Sequence, residues 1–185
     1  MRRVAARCIN LPAMGGIRAI LRIYHSRMSK AKVEEFIKGA DALNRLLSPL
    51  SREDLLSHPV PGTWSLQTLI IHIMDSDLIA THRMKRIIAE ENPLLISYDE
   101  NAFAKSLFYD SLDASLAAET FRVNRLQMGE ILRQVDDSTF ARCGIHNQRG
   151  KVTLGEFVDL YVHHVEHHFV FARAKLKALG KPIHI

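Results

Sequence analysis

The sequence is poor in cysteine, in long apolar runs and, over its first 27 residues, in acidic side chains. Its two cysteines, Cys8 and Cys143, form no CxxC pair. This excludes a disulfide scaffold and fits a reducing compartment, so a cytoplasmic location is expected. No run of about 18 apolar residues is free of charge, which excludes a transmembrane helix and leaves no membrane role to assign. Sustained apolar–polar alternation is also missing, so no sheet is expected and the fold class reads as all-α. The chain is nevertheless 47% hydrophobic and 24% charged, the balance of a globular protein rather than a disordered one. Its 185 residues suit a single domain.

The formal net charge of +5 invites a nucleic-acid reading until it is located along the chain. Residues 1–27 carry Arg2, Arg3, Arg7, Arg18, Arg22 and Arg27 and no acid, so +6 of the overall +5 lies there and −1 remains for everything else. A nucleic-acid partner is therefore not expected on charge grounds: the basicity belongs to the leader and not to a binding face. Pro12 and Gly15-Gly16 interrupt any helix in this segment. An N-terminal extension ahead of a natural start at Met28 is the preferred reading, with an organelle-type presequence or an amphipathic surface segment as alternatives. The domain is then expected to span residues 28–185.

Four long helices are expected within it. The first runs from about Ser29 to Leu47, with Val33, Phe36, Ile37, Ala40, Leu43 and Leu47 as its apolar stripe. Ser51-Arg52-Glu53-Asp54 reads as a short capped turn ahead of Pro59 and Pro61-Gly62. The second long helix runs from about Ser65 to Glu91 and embeds His72 in the apolar stretch Leu69–Met74; Asn92-Pro93 stops it. Residues 94–110 read as a partly helical loop. The third helix spans about Leu112 to Val135, with Leu116, Ala117, Phe121, Leu126, Met128, Ile131 and Leu132 facing inward. Residues 136–152 read as an irregular connection. The capping box Thr153-Leu154-Gly155-Glu156 opens the last helix, which ends at Gly180 before Pro182. Four amphipathic helices in one small domain make a four-helix bundle the natural solution, and the two long connections permit helices that are not simply up and down.

The last helix carries four of the ten histidines, at positions 163, 164, 167 and 168. Imidazoles at i and i+4 stand one turn apart on one face and suit a shared metal ion. Two such pairs exist, and the helical period separates them. His164 and His168 lie among Phe157, Leu160, Tyr161, Val165, Phe171 and Ala172, whereas His163 and His167 fall with Glu156 and Asp159. Ligands in a bundle project inward, so His164/His168 is the candidate pair. A formal H-x-x-E-H match of inverted zinc proteases runs from His163 through Glu166 to His167, but it uses the outward pair and requires a substrate cleft that nothing else in the sequence suggests. Asp75, one turn beyond His72, reads first as a solvated helix acid and otherwise as a group to orient that ring or the metal-bound group, while Asp77 is expected at the surface. Tyr98 and Asp99 are weighed as residues at the mouth of a site, Asp99 equally as a helix cap, and His146 as one that could reach the pocket but is more readily placed outside it. Trp64 reads as a core anchor.

Trp64-Ser65-x6-His72, then Tyr98-Asp99-Glu100, then His164-x-x-His167-His168 together resemble the DinB-like superfamily, and within it the bacillithiol-transferase-like (YfiT-type) branch. The similarity covers about residues 30–180. It implies a four-helix bundle, commonly a homodimer, in which three histidines bind a divalent metal ion, often nickel or zinc. His72 would be the first ligand and His164 and His168 the second and third. Residues 144–150, Gly-Ile-His-Asn-Gln-Arg-Gly, are similar to an H-x-x-x-G loop of the branch. Two departures stand out: Thr68 replaces an acid of many relatives, and Phe171 replaces a Gln or His.

The resemblance implies a metal-dependent S-transferase or hydrolase acting on a small-molecule substrate, with a low-molecular-weight thiol as a candidate partner. The alternative is a metal-binding stress-response or interaction scaffold without turnover. No residue names the substrate.

Overall fold

A computed structural model describes residues 30–182 apart from Pro49. The expectations for residues 1–27 and for a start at Met28 lie outside the described residues. Helix α1 (residues 30–38) tightens into a 3-10 turn at Gly39–Asp41 and continues as α2 (Ala42–Leu47). The short α3 (Arg52–Leu56) opens on a capping box between Ser51 and Asp54. Helix α4 (Leu66–Ala89) is capped by Ser65, whose side chain accepts from the Thr68 N–H. A strand β1 (Leu94–Leu95), helix α5 (Glu100–Ser106) and a 3-10 turn (Tyr109–Ser111) lead to α6 (Ala114–Gln134), capped by Asp113. Strands β2 (Cys143–His146) and β3 (Gly150–Thr153) precede α7 (Leu154–Ala178), which opens on the expected Thr153–Glu156 capping box.

Side-chain pairings give the helix directions. Gln67, near the start of α4, donates to the carbonyls of Tyr109 (2.9 Å) and Leu112 (2.8 Å), just ahead of α6. Asp77, farther along α4, meets Arg125, farther along α6. The two helices therefore run the same way, which the long connection between them permits. On α7 the order reverses, since His72 meets His168 and Ser76 meets Tyr161. Glu34 of α1 reaches Arg133 near the end of α6, so α1 also runs against α6.

Two apolar clusters fill the bundle. One gathers Leu43, Leu46, Ile70, Phe121 and Phe169; the other gathers Val33, Met84, Met128, Leu154 and Phe157. Between them the Arg125 guanidinium lies 4.3 Å over the Phe36 ring and 4.6 Å over Phe121, contributing a cation–π contact on each side. Its Nε donates to Asp77 Oδ1 (2.9 Å), and its other nitrogens donate to the carbonyls of Tyr161 (2.7 Å) and Phe36 (3.3 Å). Asn124 satisfies the second Asp77 oxygen at 2.9 Å. A Cβ at position 39 would fall 2.8 Å from Arg125 Nη1, which explains the glycine where α1 gives way to α2. Asp77 is 1% exposed, not the surface residue expected, because its charge is matched by a partner on another helix.

A further correction concerns the sheet. Residues 136–152 are not irregular: β2 and β3 form an antiparallel hairpin, and β1 joins β2 in parallel, Leu95 opposite His146. His146 pairs with Gly150 across a three-residue turn, and Gly150 at φ 72° takes the left-handed conformation such a turn requires. A Cβ at Gly144 would lie 2.7 Å from the Leu95 side chain and 3.1 Å from the Pro93 carbonyl, so glycine lets β1 approach β2. On α6, Leu116 and Leu126 point outward rather than into the expected stripe, their place taken by Ala118 and Arg125.

Candidate metal centre

The three histidines expected to share a site converge between α4 and α7. His72, on the fully packed stretch of α4, is 1% exposed; His164 and His168 are half-buried on the inward face of α7. His72 Nε2 lies 3.2 Å from His168 Nε2, which lies 3.1 Å from His164 Nε2. Among the described residues this is the one cluster of three metal-ligating side chains, with ligand atoms all within 4.8 Å of one another.

Three nitrogens at about 2.0–2.1 Å from one tetrahedral ion stand about 3.3 Å apart, close to the two separations seen here. The protonation states suit a cation too. Burial holds His72 down to about 4, and burial with the neighbouring imidazoles holds His164 to about 3 and His168 to about 4. All three rings are therefore neutral near pH 7, with lone pairs free for a ligand bond. One feature departs from the usual surroundings of a metal-bound imidazole: His72 Nδ1 is buried without a hydrogen-bond partner.

The walls come from Trp64, from residues 96–100 and from further positions on α4 and α7. Trp64 packs against His72 with ring centroids 5.0 Å apart. Tyr161, one turn before His164 on α7, packs against it at 5.3 Å, and its hydroxyl lies 3.5 Å from Ser76 Oγ. Residues 96–100 lie along α4: the Ile96 carbonyl accepts from Arg83, and Glu100 Oε2 comes within 3.8 Å of His72 Nε2. Between them, burial pushes the Tyr98 phenol up to about 12, against a hydrogen bond to Ser76 that lowers it. Glu100 is the acid that sequence reasoning passed over; its place beside Tyr98-Asp99, in a segment already marked, was the available signal.

The remaining candidates divide. Asp99 caps α5, accepting from the amides of Asn101 and Ala102. Asp75 does not turn to His72 but accepts the Tyr109 hydroxyl at 2.6 Å. His146 is buried at the end of β2, where its Nδ1 accepts the Gln148 amide at 3.2 Å, and it does not join the trio. His163 and His167 are exposed, and His163 Nδ1 lies 2.8 Å from the Asp159 carbonyl. Phe171, expected inside, is 44% exposed and packs its ring on His167 at 5.3 Å. Thr68 bonds Ser65 at 3.0 Å and donates to Asp110 at 3.0 Å.

Residues 35–171 match the family profile described as the DinB superfamily. A curated relative from Oceanobacillus iheyensis, "Putative metal-dependent hydrolase OB0782", is 28% identical over 140 residues, 74% of this chain and 81% of that protein. Among solved structures, YfiT from Bacillus subtilis, described as a probable metal-dependent hydrolase with an unusual four-helix bundle topology, is similar with a TM-score of 0.78. It is 21% identical, over 83% of this chain and 89% of that one. The mycothiol-dependent maleylpyruvate isomerase is similar with a TM-score of 0.57 at 14% identity, covering 80% of this chain and 59% of the isomerase.

Proposed function

Since the chain belongs to the DinB superfamily, we propose that it is a metal-dependent enzyme acting on a small molecule, with His72, His164 and His168 holding a divalent zinc or nickel ion. The observation that carries this reading is the convergence of three neutral imidazole nitrogens from two helices, 3.2 Å and 3.1 Å apart along the trio. Held by three uncharged imidazoles, such an ion would keep its positive charge and would supply the activation of a water or thiol at neutral pH. The curated relatives are named as metal-dependent hydrolases, and one fold neighbour is named as mycothiol-dependent. S-transfer from a low-molecular-weight thiol is the preferred chemistry, with hydrolysis second.

Each wall residue has a task in that scheme. Glu100, 56% exposed beside His72, is placed to take a proton from an incoming group and pass it to solvent. Tyr98, kept protonated by burial, and Tyr161 and Ser76 present hydroxyls that orient a substrate lying along α4. Trp64 closes the side of His72 and excludes water there.

The test uses protein purified without a polyhistidine tag and substituted with cobalt. Bacillithiol, mycothiol, glutathione and cysteine are added in turn. At least one should raise a thiolate-to-metal charge-transfer band that vanishes in His168→Ala. Absence of the band with all four counts against S-transfer and leaves hydrolysis.

A further inference from the structure

Strand β1 leads the chain towards the three histidines, and an exposed side chain from the hairpin fastens its far end. β1 lies parallel to β2, Leu94 opposite Ile145 and Leu95 opposite His146. The Ile145 amide donates to the Pro93 carbonyl (2.8 Å) and the Asn147 amide to the Leu95 carbonyl (3.1 Å). The next bond of such a ladder would run from the Ser97 amide to the Asn147 backbone carbonyl. Instead the Ser97 amide donates to Asn147 Oδ1 at 2.8 Å, and Asn147 Nδ2 donates to Ser97 Oγ at 3.0 Å. A backbone N–H can only donate, so this pairing also fixes which way round the Asn147 amide stands. Asn147, the first residue of the hairpin turn, thus extends the ladder with its side chain.

The opposite edge of β1 is closed from α4. Arg86 donates to the Leu94 carbonyl at 2.6 Å, and Arg83 donates to the Ile96 carbonyl. Up to Ser97 the chain is therefore held on both sides. Beyond it the packing thins: α5 buries none of its residues, and only Phe103 and Ala104 rest half-buried against the core. Phe108, just past α5, is 72% exposed and left-handed at φ 56°. Ser97 is thus the last doubly fastened point before Tyr98 and Glu100. Glu100 follows it by three residues and brings Oε2 within 3.8 Å of His72 Nε2.

From this geometry we propose that Asn147 is a positioning residue for the metal centre: its clasp on Ser97 sets where Tyr98 and Glu100 stand relative to His72. The Glu100 side chain is 56% exposed and has little packing of its own to keep it beside the ring. The direction in which the backbone leaves Ser97 supplies that hold. Groups that act on a bound ion or substrate must be held to within about 0.5 Å, which is the work of supporting residues. The hairpin thereby serves the site without contributing a ligand. This role rests on the reading of the three histidines as the metal centre.

The test compares Asn147→Leu, Asn147→Asp and Ser97→Ala with the parent, each as the full chain. Crystal structures after chelator dialysis read the separation of Glu100 Oε2 from His72 Nε2. Asn147→Leu removes both bonds and should move Glu100 out of reach of His72. Asn147→Asp keeps an oxygen for the Ser97 amide and should leave Glu100 in place. Ser97→Ala removes the hydroxyl bond alone and should give a smaller displacement; should Asn147→Leu not fold, Ser97→Ala carries the same comparison. Chelator competition for zinc then asks whether Asn147 acts through Glu100. Asn147→Leu should weaken zinc about fivefold, the loss expected of Glu100→Gln, and should weaken it no further in the Glu100→Gln background. A merely structural role would add its loss in both backgrounds. Glu100 unmoved in Asn147→Leu, or equal weakening of zinc in the two backgrounds, overturns the proposal. Failure of the metal reading shows separately, as a parent chain that takes up no zinc, and the metal-free structures still decide what places Glu100.

Discussion

His72 Nε2 and His168 Nε2 stand 3.2 Å apart although 96 positions separate the two residues in the chain. Nothing local holds them there. Helix α7 is fixed against α4 by apolar packing on either side and by Arg125, which grips Asp77 of α4 and the Tyr161 carbonyl of α7 together. The carbonyl it grips lies three residues before His164. Core and site are thus connected through one buried guanidinium.

That connection makes a stability prediction. Asp77→Ala leaves the Arg125 charge buried without its partner, and the expected loss is about 3–5 kcal/mol. The double variant Asp77→Leu with Arg125→Met removes both charges and should lie closer to the parent than Asp77→Ala does. Urea unfolding of the three proteins checks this. A double variant as unstable as Asp77→Ala, or more so, would mean that the two charges do not act as a pair.

Glu100 provides a prediction at the metal centre. Its carboxylate is half-exposed and 3.8 Å from His72 Nε2, so it attracts a cation without being buried beside it. Glu100→Gln should weaken zinc binding about fivefold, the worth of about 1 kcal/mol for a partly solvated charge contact, while stoichiometry stays at one ion per chain. Competition with a chromogenic chelator measures it. Complete loss of zinc would make Glu100 a required ligand instead.

Acid sensitivity follows from Asp54. The Lys181 ammonium, then the amide and hydroxyl of Ser51, hold its carboxyl down to about 2 from an ordinary 3.8. A carboxyl depressed on folding stabilises the protein above its unfolded value, and that contribution is lost as pH falls through the folded one. Asp54→Asn should therefore melt lower than the parent at about pH 5, and the gap should close on going to about pH 2. A gap that is constant over this range would show that the charge of Asp54 contributes nothing.

The long helices were legible because their signals are local. Ser65 and the Thr153–Glu156 box mark starts that the structure keeps, and Asn92-Pro93 follows closely on the end of α4. The helical period separated His164 and His168 from the exposed His163 and His167 for the same reason. What it could not show was anything set by distant partners. Asp77 reads as a surface acid until Arg125, 48 positions away, is beside it. Arg125 itself looks like a break in the stripe of α6, and Leu116 and Leu126 look like parts of that stripe, until α1 covers the other face. The hairpin was missed because Cys143-Gly144-Ile145-His146 is too short to show an alternation and owes its strand form to β1 and β3. Phe171 sits at the edge of the inward face, where the period alone does not separate buried from exposed.

The central claim is that His72, His164 and His168 together hold one divalent ion, and X-ray absorption of the zinc-loaded, untagged full chain tests it most directly. The account predicts one zinc per chain with three imidazole nitrogens at about 2.0–2.1 Å, unchanged in His163→Ala and lost in His72→Ala and His168→Ala. A spectrum with fewer than three imidazoles, or equal loss of zinc in His163→Ala and His168→Ala, would contradict it.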